Sequence, residues 1–308
     1  MEPKKTAFIF PGQGSQSVGM GKDLYDHFKV AREVFEEADE ALKFHISKLC
    51  FEGPEEALKL TENTQPAILT VSIAALRVLQ SEREVKPALM AGHSLGEYSA
   101  LVASGAFSFA DAVRVVRLRG RFMQEAVPVG EGAMAAVLGM EREDVERICQ
   151  EASDGEVLTP ANFNCPGQIV IAGHAKAVSR AIHLVKQKGK KAIPLQVSAP
   201  FHSPLMKSAG LRLKEVLQET PVFSLQVPVV TNVEAKTNSE PERVKPLLVE
   251  QVSSPVRWEE SMRLMIEEGV ERVIEIGPGK VLTGLMKRID PKVETANVED
   301  IPSLQQLS

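Results

Sequence analysis

Ser94 stands in Gly92-His93-Ser94-Leu95-Gly96, between an apolar run, "PALMAG", and a helix-forming one, "LGEYSALVAS". A serine hydroxyl works as a nucleophile only where a base can take its proton and donors can hold the negative charge left on the attacked carbonyl. The G-x-S-x-G spacing meets the steric part of that demand. A sharp strand-to-helix turn leaves little room around the serine, so small residues are needed on either side, and the turn exposes Oγ. The helix N-terminus then offers the Leu95 N–H to an oxyanion. An ordinary glycine turn with a serine cap is the plainer alternative; the flanking strand and helix favour the nucleophile.

Six histidines could supply the base. His27 and His45 lie in the polar first segment. His93 adjoins Ser94 and points elsewhere on the turn, as a brace for the loop. His183 falls on the polar face of a helix, and His174 opens that helix as a cap. His202 differs, because "QVSAPFHSPLM" places it between two prolines just after a strand, and a loop fixed by proline can hold an imidazole in one orientation. His202 is therefore the expected base. No acid in a comparably rigid loop stands between Ser94 and His202, and the base lies well before the chain's end. This departs from the Ser, acid, His order of the α/β-hydrolases and argues against a common esterase. It leaves a carbonyl dipole as the group that orients the imidazole.

Three further stretches bear on chemistry. In "FIFPGQGSQSVGMG", Gly12 and Gly14 fit a dinucleotide loop, but Ser17 occupies the third glycine's place. A glycine turn there serves equally to bring backbone amides toward a reacting oxygen, which makes Gln13 a second oxyanion donor. "GPGKVLTG" fails as a phosphate loop, since Ile274 replaces its first glycine and Val281 follows the lysine. In "ADAVRVVRLRGRFMQEAV", helical spacing puts Arg119 on the apolar stripe with Val115, Leu118 and Phe122, whereas Arg114, Arg117 and Arg121 point away. A guanidinium on that stripe needs a carboxylate, from the protein or from a ligand. The pattern does not choose between them.

The elements that must position these residues read as alternating strands and helices. "KTAFIF" and "PALMAG" are buried strands, "TQPAILTVSIAALRVLQ" is a helix with Pro66 in its first turn, and Ser108 with Asp111 has capping-box spacing. This order predicts a parallel α/β sheet. Over 128–197 the order becomes β-α-β-β-α-β, from "GAMAAVLGM" to "KKAIPLQV", which is the ferredoxin-like unit. It is expected as a small subdomain inserted into a larger one made of 1–127 and 198–308. The α/β pattern resumes with "VPVVTNV", a helix near "WEESMRLMIEEG", the strand "RVIEIG" and a helix near "VLTGLMKRI", with "TNSEPERVKP" as a solvated loop.

The 308 residues can bury a substantial core, and a net charge of −5 implies no general affinity for nucleic acid. Cys50, Cys149 and Cys165 have no paired spacing, so neither a disulfide framework nor a zinc site is expected. "AFIF" is too short for a signal peptide or a span, and no later stretch reaches the length of one. A soluble cytoplasmic protein is the expectation, with no membrane partner.

Taken together, "FPGQGSQ" at 10–16, "TQPA" at 64–67, "GHSLGEYSAL" at 92–101, "RGRFMQEA" at 119–126, "NCPGQIVIAG" at 164–173, "PFHSPLM" at 200–206, "PVRW" at 255–258 and "GPGKVLTGL" at 277–285 carry a resemblance. The chain resembles the malonyl-CoA:acyl carrier protein transacylases nearly end to end. The resemblance implies an α/β-hydrolase-like large subdomain and a ferredoxin-like small one. It implies Ser94 as nucleophile, His202 as base, Gln13 and Leu95 as the backbone oxyanion hole, and Arg119 as a clamp on the malonyl carboxylate. Gln251 matches the position whose main-chain carbonyl orients the histidine. Gln65, His93 and Asn162 match positions lining the pocket, and Phe201 matches a position whose bulky ring disfavours an α-branched donor. The implied reaction is a ping-pong transfer from coenzyme A thioester to the phosphopantetheine of an acidic acyl carrier protein, by a monomer with no cofactor or metal. Lys186, Lys188, Lys190, Lys191, Lys287 and Arg288 are candidate docking groups. The rival expectations are a serine thioesterase or esterase, a trans-acting acyltransferase of polyketide synthesis, a non-catalytic acyl-binding or carrier-docking module and, most distantly, a nucleotide-binding enzyme.

Overall fold

A computed structural model describes residues 4–197 and 199–307. Strand β1 (Thr6–Phe10) is followed by four helices, α1 (Lys22–His27), α2 (Lys29–Leu42), α3 (Ile46–Glu52) and α4 (Glu55–Lys59), and by the long helix α5 (Thr61–Glu82). Strand β2 (Leu89–Gly92) leads into α6 (Gly96–Ala103) and α7 (Phe109–Glu125). Next come β3 (Gly132–Leu138), α8 (Arg142–Ser153), β4 (Leu158–Cys165), β5 (Gln168–His174), α9 (Ala175–Gln187) and β6 (Lys191–Pro194). The chain ends with α10 (Lys207–Gln218), β7 (Val229–Val230), β8 (Thr237–Asn238), α11 (Pro241–Gln251), α12 (Trp258–Glu267), β9 (Arg272–Ile276), α13 (Val281–Ile289), β10 (Glu294–Val298) and α14 (Ile301–Gln305).

The larger sheet runs β10-β9-β1-β2-β7-β8, parallel except where β8 returns antiparallel to β7. Its central strand, "TAFIF", is buried on both faces because side chains alternate across a strand and both faces are covered by helices. Phe8 and Phe10 join the core formed with α2, α5, α6 and α7, while Ala7 and Ile9 join Trp258, Met262, Leu285 and Met286 from α12 and α13. The register pairs Phe10 with Gly92, so the loops after β1 and β2 leave the sheet side by side at its carboxyl end. Open α/β sheets bind ligands at that end, where the strand order reverses.

The second sheet is antiparallel, in the order β4-β5-β3-β6. On α8, Val145, Ile148, Cys149 and Ala152 are buried as their spacing predicts, packed with Val178, Ala181 and Val185 of α9. The architecture is thus α/β-hydrolase-like with a small ferredoxin-like unit. Main-chain bonds tie β4 of this unit to the segment that precedes α12: Phe163 N–H donates to Val256 O (2.9 Å) and Val256 N–H to Ala161 O (2.9 Å).

Several expectations are corrected. The polar first segment is helical, and α2 buries Ala31, Val34, Phe35 and Ala38 at helical spacing. Helix α5 begins at Thr61, which puts Pro66 inside it rather than in its first turn. The stretch "TNSEPERVKP" is not a loop; it holds β8 and the start of α11, with Pro241 at the helix's first turn, where a missing N–H costs nothing. "VPVVTNV" pairs only at Val229–Val230, and β6 stops at Pro194. Helices α10 and α14 and edge strand β10 were not expected. The expected boundary at Ser198 lies outside the described residues. All three cysteines are buried and unpaired, and among the described residues no helix is long and apolar enough to cross a membrane.

Candidate active site

The turn between β2 and α6 is built as its glycines require. A Cβ on Gly92 would lie 1.8 Å from the Gly96 carbonyl carbon, and one on Gly96 would lie 2.1 Å from Phe10 O. Ser94 sits between them with φ of 52°, a left-handed conformation that costs an L residue about 1–2 kcal/mol. Asn232, just after β7, pins the turn from both sides: Ser94 N–H donates to its Oδ1 (2.7 Å), and its Nδ2 donates to Gly92 O (2.7 Å).

His202 comes from the Pro200–Pro204 loop, also at positive φ (58°). Its Nε2 is 2.7 Å from Ser94 Oγ, and its Nδ1 is 2.9 Å from Gln251 O. A carbonyl oxygen only accepts, so Nδ1 carries the proton and Nε2 is left to accept from the serine hydroxyl. Burial above all, and then the Arg119 cation, push the His202 pKa down to about 3, against the opposing pull of the Gln251 carbonyl. The imidazole is therefore a neutral acceptor at physiological pH. The acid that was sought between Ser94 and His202 is replaced by this carbonyl.

Arg119, 1% exposed, projects from α7 into the same place. Nη1 donates to Gln65 Oε1 (2.8 Å), and Nη2 donates to Gln251 Oε1 (2.9 Å) and to Ser94 Oγ (3.2 Å). Burial lowers its pKa, yet a guanidinium stays charged in a protein. Among the described residues no carboxylate lies within ion-pair distance of it. Of the two partners left open by the sequence, the protein does not supply the first.

These groups face a cavity of about 100 Å³. Gln13, Leu95, His93, Asn162 and Phe201 also line it, so every site residue expected from the sequence except Gln251 reaches its wall; Gln251 stands behind, holding His202 and Arg119. Among the described residues neither the Gln13 nor the Leu95 backbone N–H is given to a protein acceptor. His93 braces the turn as expected, with Nε2 donating to Asn164 Oδ1 (2.9 Å), and burial lowers its pKa. His174 holds the N-cap position of α9 as expected but gives the helix no side-chain hydrogen bond; its Nδ1 accepts from Val157 N–H (2.9 Å) instead. Sequence reasoning missed Asn232, Asn164, Met123, Met134 and Glu97. Glu97 carried a usable signal, a charge inside the apolar helical run "GEYSALVAS", of the same kind that singled out Arg119. Among the described residues no three His, Cys, Asp or Glu side chains are placed to hold a metal ion.

The acyl transferase domain family matches residues 7–306. The malonyl CoA-acyl carrier protein transacylase of Bacillus subtilis is 53% identical over 98% of this chain and 95% of its own length. The crystal structure of an acyl carrier protein S-malonyltransferase from Vibrio cholerae superposes with a TM-score of 0.96 at 48% identity, covering 99% of this chain and 100% of that one. A malonyl-transacylase solved in complex with its type II PKS acyl-carrier protein gives 0.95 at 47% identity, with 98% of both chains covered.

Proposed function

From the premise that the chain belongs to the acyl transferase domain family, we propose that it moves a malonyl group from malonyl-CoA to the phosphopantetheine thiol of acyl carrier protein, through a malonyl ester on Ser94, in fatty acid synthesis. Ser94 Oγ gives its proton to His202 Nε2 as it attacks the thioester carbonyl. The oxyanion that forms is held by the Gln13 and Leu95 N–H groups, and the coenzyme A sulfur leaves with the proton from His202. The carrier thiol then attacks the ester, His202 takes its proton, and Ser94 Oγ recovers it.

The observation that carries the donor's identity is the buried Arg119, 3.2 Å from the nucleophile with no carboxylate of the described residues within ion-pair distance. Acylation turns Ser94 Oγ into an ester oxygen, a poor acceptor. The Nη2 proton aimed at it is released to the free carboxylate of the malonyl group, and Nη1 has a second proton beside the one on Gln65. An acetyl group would leave that charge unanswered. Met123, Met134 and Phe201 make the rest of the wall apolar and narrow, which supports a short unbranched acyl group. A second cavity of about 280 Å³ shares Gln13, His93, Asn162 and Leu195 with the first and continues between β5 and α13. It suits the thioester arm of either substrate.

The division into 1–127 with 198–308 and an inserted 128–197, the monomeric state, the cytoplasmic location and the lack of a cofactor belong to the same proposal. Intact mass spectrometry with malonyl-CoA tests it. Wild type gains one malonyl group, Ser94→Ala gains none, and carrier protein removes it. Rapid release to water without carrier protein would mark a thioesterase instead.

A further inference from the structure

Glu97 is a buried carboxylate to which the reaction above assigns nothing. It lies in the first turn of α6, 2% exposed, and one backbone and one side-chain donor converge on one of its oxygens. Asn232 N–H donates to Oε2 at 3.0 Å and Gln251 Nε2 at 2.8 Å. We propose that Glu97 is a positioning residue, whose Oε2 decides which way the Gln251 amide faces and so orients both the arginine that binds the donor carboxylate and the base. The inference rests on the function proposed above.

The two ends of a glutamine amide are nearly the same shape and opposite in hydrogen bonding. Here Nε2 faces three acceptors, Glu97 Oε2, Ser94 O (3.1 Å) and Asn232 Oδ1 (3.3 Å), and Oε1 faces the donor Arg119 Nη2 (2.9 Å). Reversed, the amide would set its NH₂ against a guanidinium and its oxygen against three oxygens. The Glu97 contact is the shortest of the three and the only one to a carboxyl group, whose pKa burial raises to about 7. The same residue's main-chain O accepts from His202 Nδ1, so a twist of Gln251 reaches the base as well. Through Asn232, Glu97 also holds the residue that pins the nucleophile turn.

The test measures Ser94 acylation by malonyl-CoA and acetyl-CoA, with thermal melting, in the full chain. Glu97→Ala is expected to lower malonyl-over-acetyl preference and acylation kcat about tenfold each, with little change in coenzyme A KM. Glu97→Gln keeps an acceptor for both donors and is expected to retain most of the preference. The double variant Glu97→Ala with Gln251→Ala should lose no more preference than Gln251→Ala alone, since one residue acts through the other. A folded Glu97→Ala with unchanged preference, or losses that add in the double variant, overturns the role of Glu97. If the alanine variant does not fold, Glu97→Asp, too short to reach the amide, must lose preference where Glu97→Gln keeps it; equal behaviour of the two overturns the proposal. Wild type that forms no malonyl ester at Ser94 overturns the proposed function itself, a failure visible before any variant is made.

Discussion

His202 owes its usefulness to a lowered pKa, and the sign of the consequence can be stated. A base with a pKa of about 3 is neutral at every higher pH, so Ser94 acylation should show no acid limb at the ordinary imidazole value of about 6.5. Stopped-flow acylation between pH 5 and 8 checks this, and a limb near 6.5 counts against the assignment. Removing the Arg119 cation takes away one cause of the depression. Arg119→Ala should therefore move the acid limb upward, and should also erode malonyl-over-acetyl preference by about a hundredfold. Unchanged preference would remove Arg119 from donor recognition. In folding, the same depression means that the native state binds fewer protons. Its contribution to stability is present above about 6.5 and fades as pH falls toward 3.

At the scale of elements, the strand-turn-helix around Ser94 holds a strained nucleophile between two indispensable glycines. Ser94→Gly relieves the left-handed strain and Ser94→Ala does not, so the glycine variant should be the more stable of the two by about 1 kcal/mol, and equally inactive. Urea unfolding of both decides it; equal midpoints would mean that the turn stores no strain at Ser94. The contrast between two other glycines is sharper. Gly92→Ala drives a methyl into the first turn of α6 and should prevent stable folding. Gly284, in the middle of α13, has open space where a Cβ would go, and Gly284→Ala should stabilise by about 0.5–1 kcal/mol. A stable Gly92→Ala enzyme would mean that the turn is looser than its contacts require.

At the scale of the whole molecule, the two sheets meet around the cavity and present a basic end to solvent. Gly139 N–H donates to Gly167 O (2.7 Å), a Cβ on Gly139 would come within 3.7 Å of the Lys190 side chain, and Arg288 Nη2 donates to Pro166 O (3.1 Å). Lys190 and Arg288 thus flank the same pair of turns. They do not have the same job. All four of Lys190, Lys191, Lys287 and Arg288 are exposed, but Arg288 also binds Gln168 and ties α13 to the smaller sheet. Charge reversal at these three lysines should raise the KM for an acidic carrier protein about tenfold and leave acylation by malonyl-CoA unchanged. Arg288→Glu should disturb both half-reactions. Equal effects of the lysine changes on the two half-reactions would move the carrier site elsewhere.

The sequence by itself determined the local chemistry. The serine turn was legible because sterics force glycine at Gly92 and Gly96, the small unit because its helical stripes and strand order are periodic, and Arg119 because a charge on an apolar stripe must be answered. His202 was legible from its two prolines. Composition and spacing could not find what is assembled from distant segments by packing. They could not show that Gln251, at the end of a helix mistaken for a loop, gives its carbonyl to His202 and its side chain to Arg119. Nor could they show that Asn232 pins the turn, or that Glu97 sits beneath all of them. Hydrogen bonds between residues far apart in the chain leave no periodic trace. Only the tertiary structure, by burying these polar groups together where each must find a partner, decided which of them form the site.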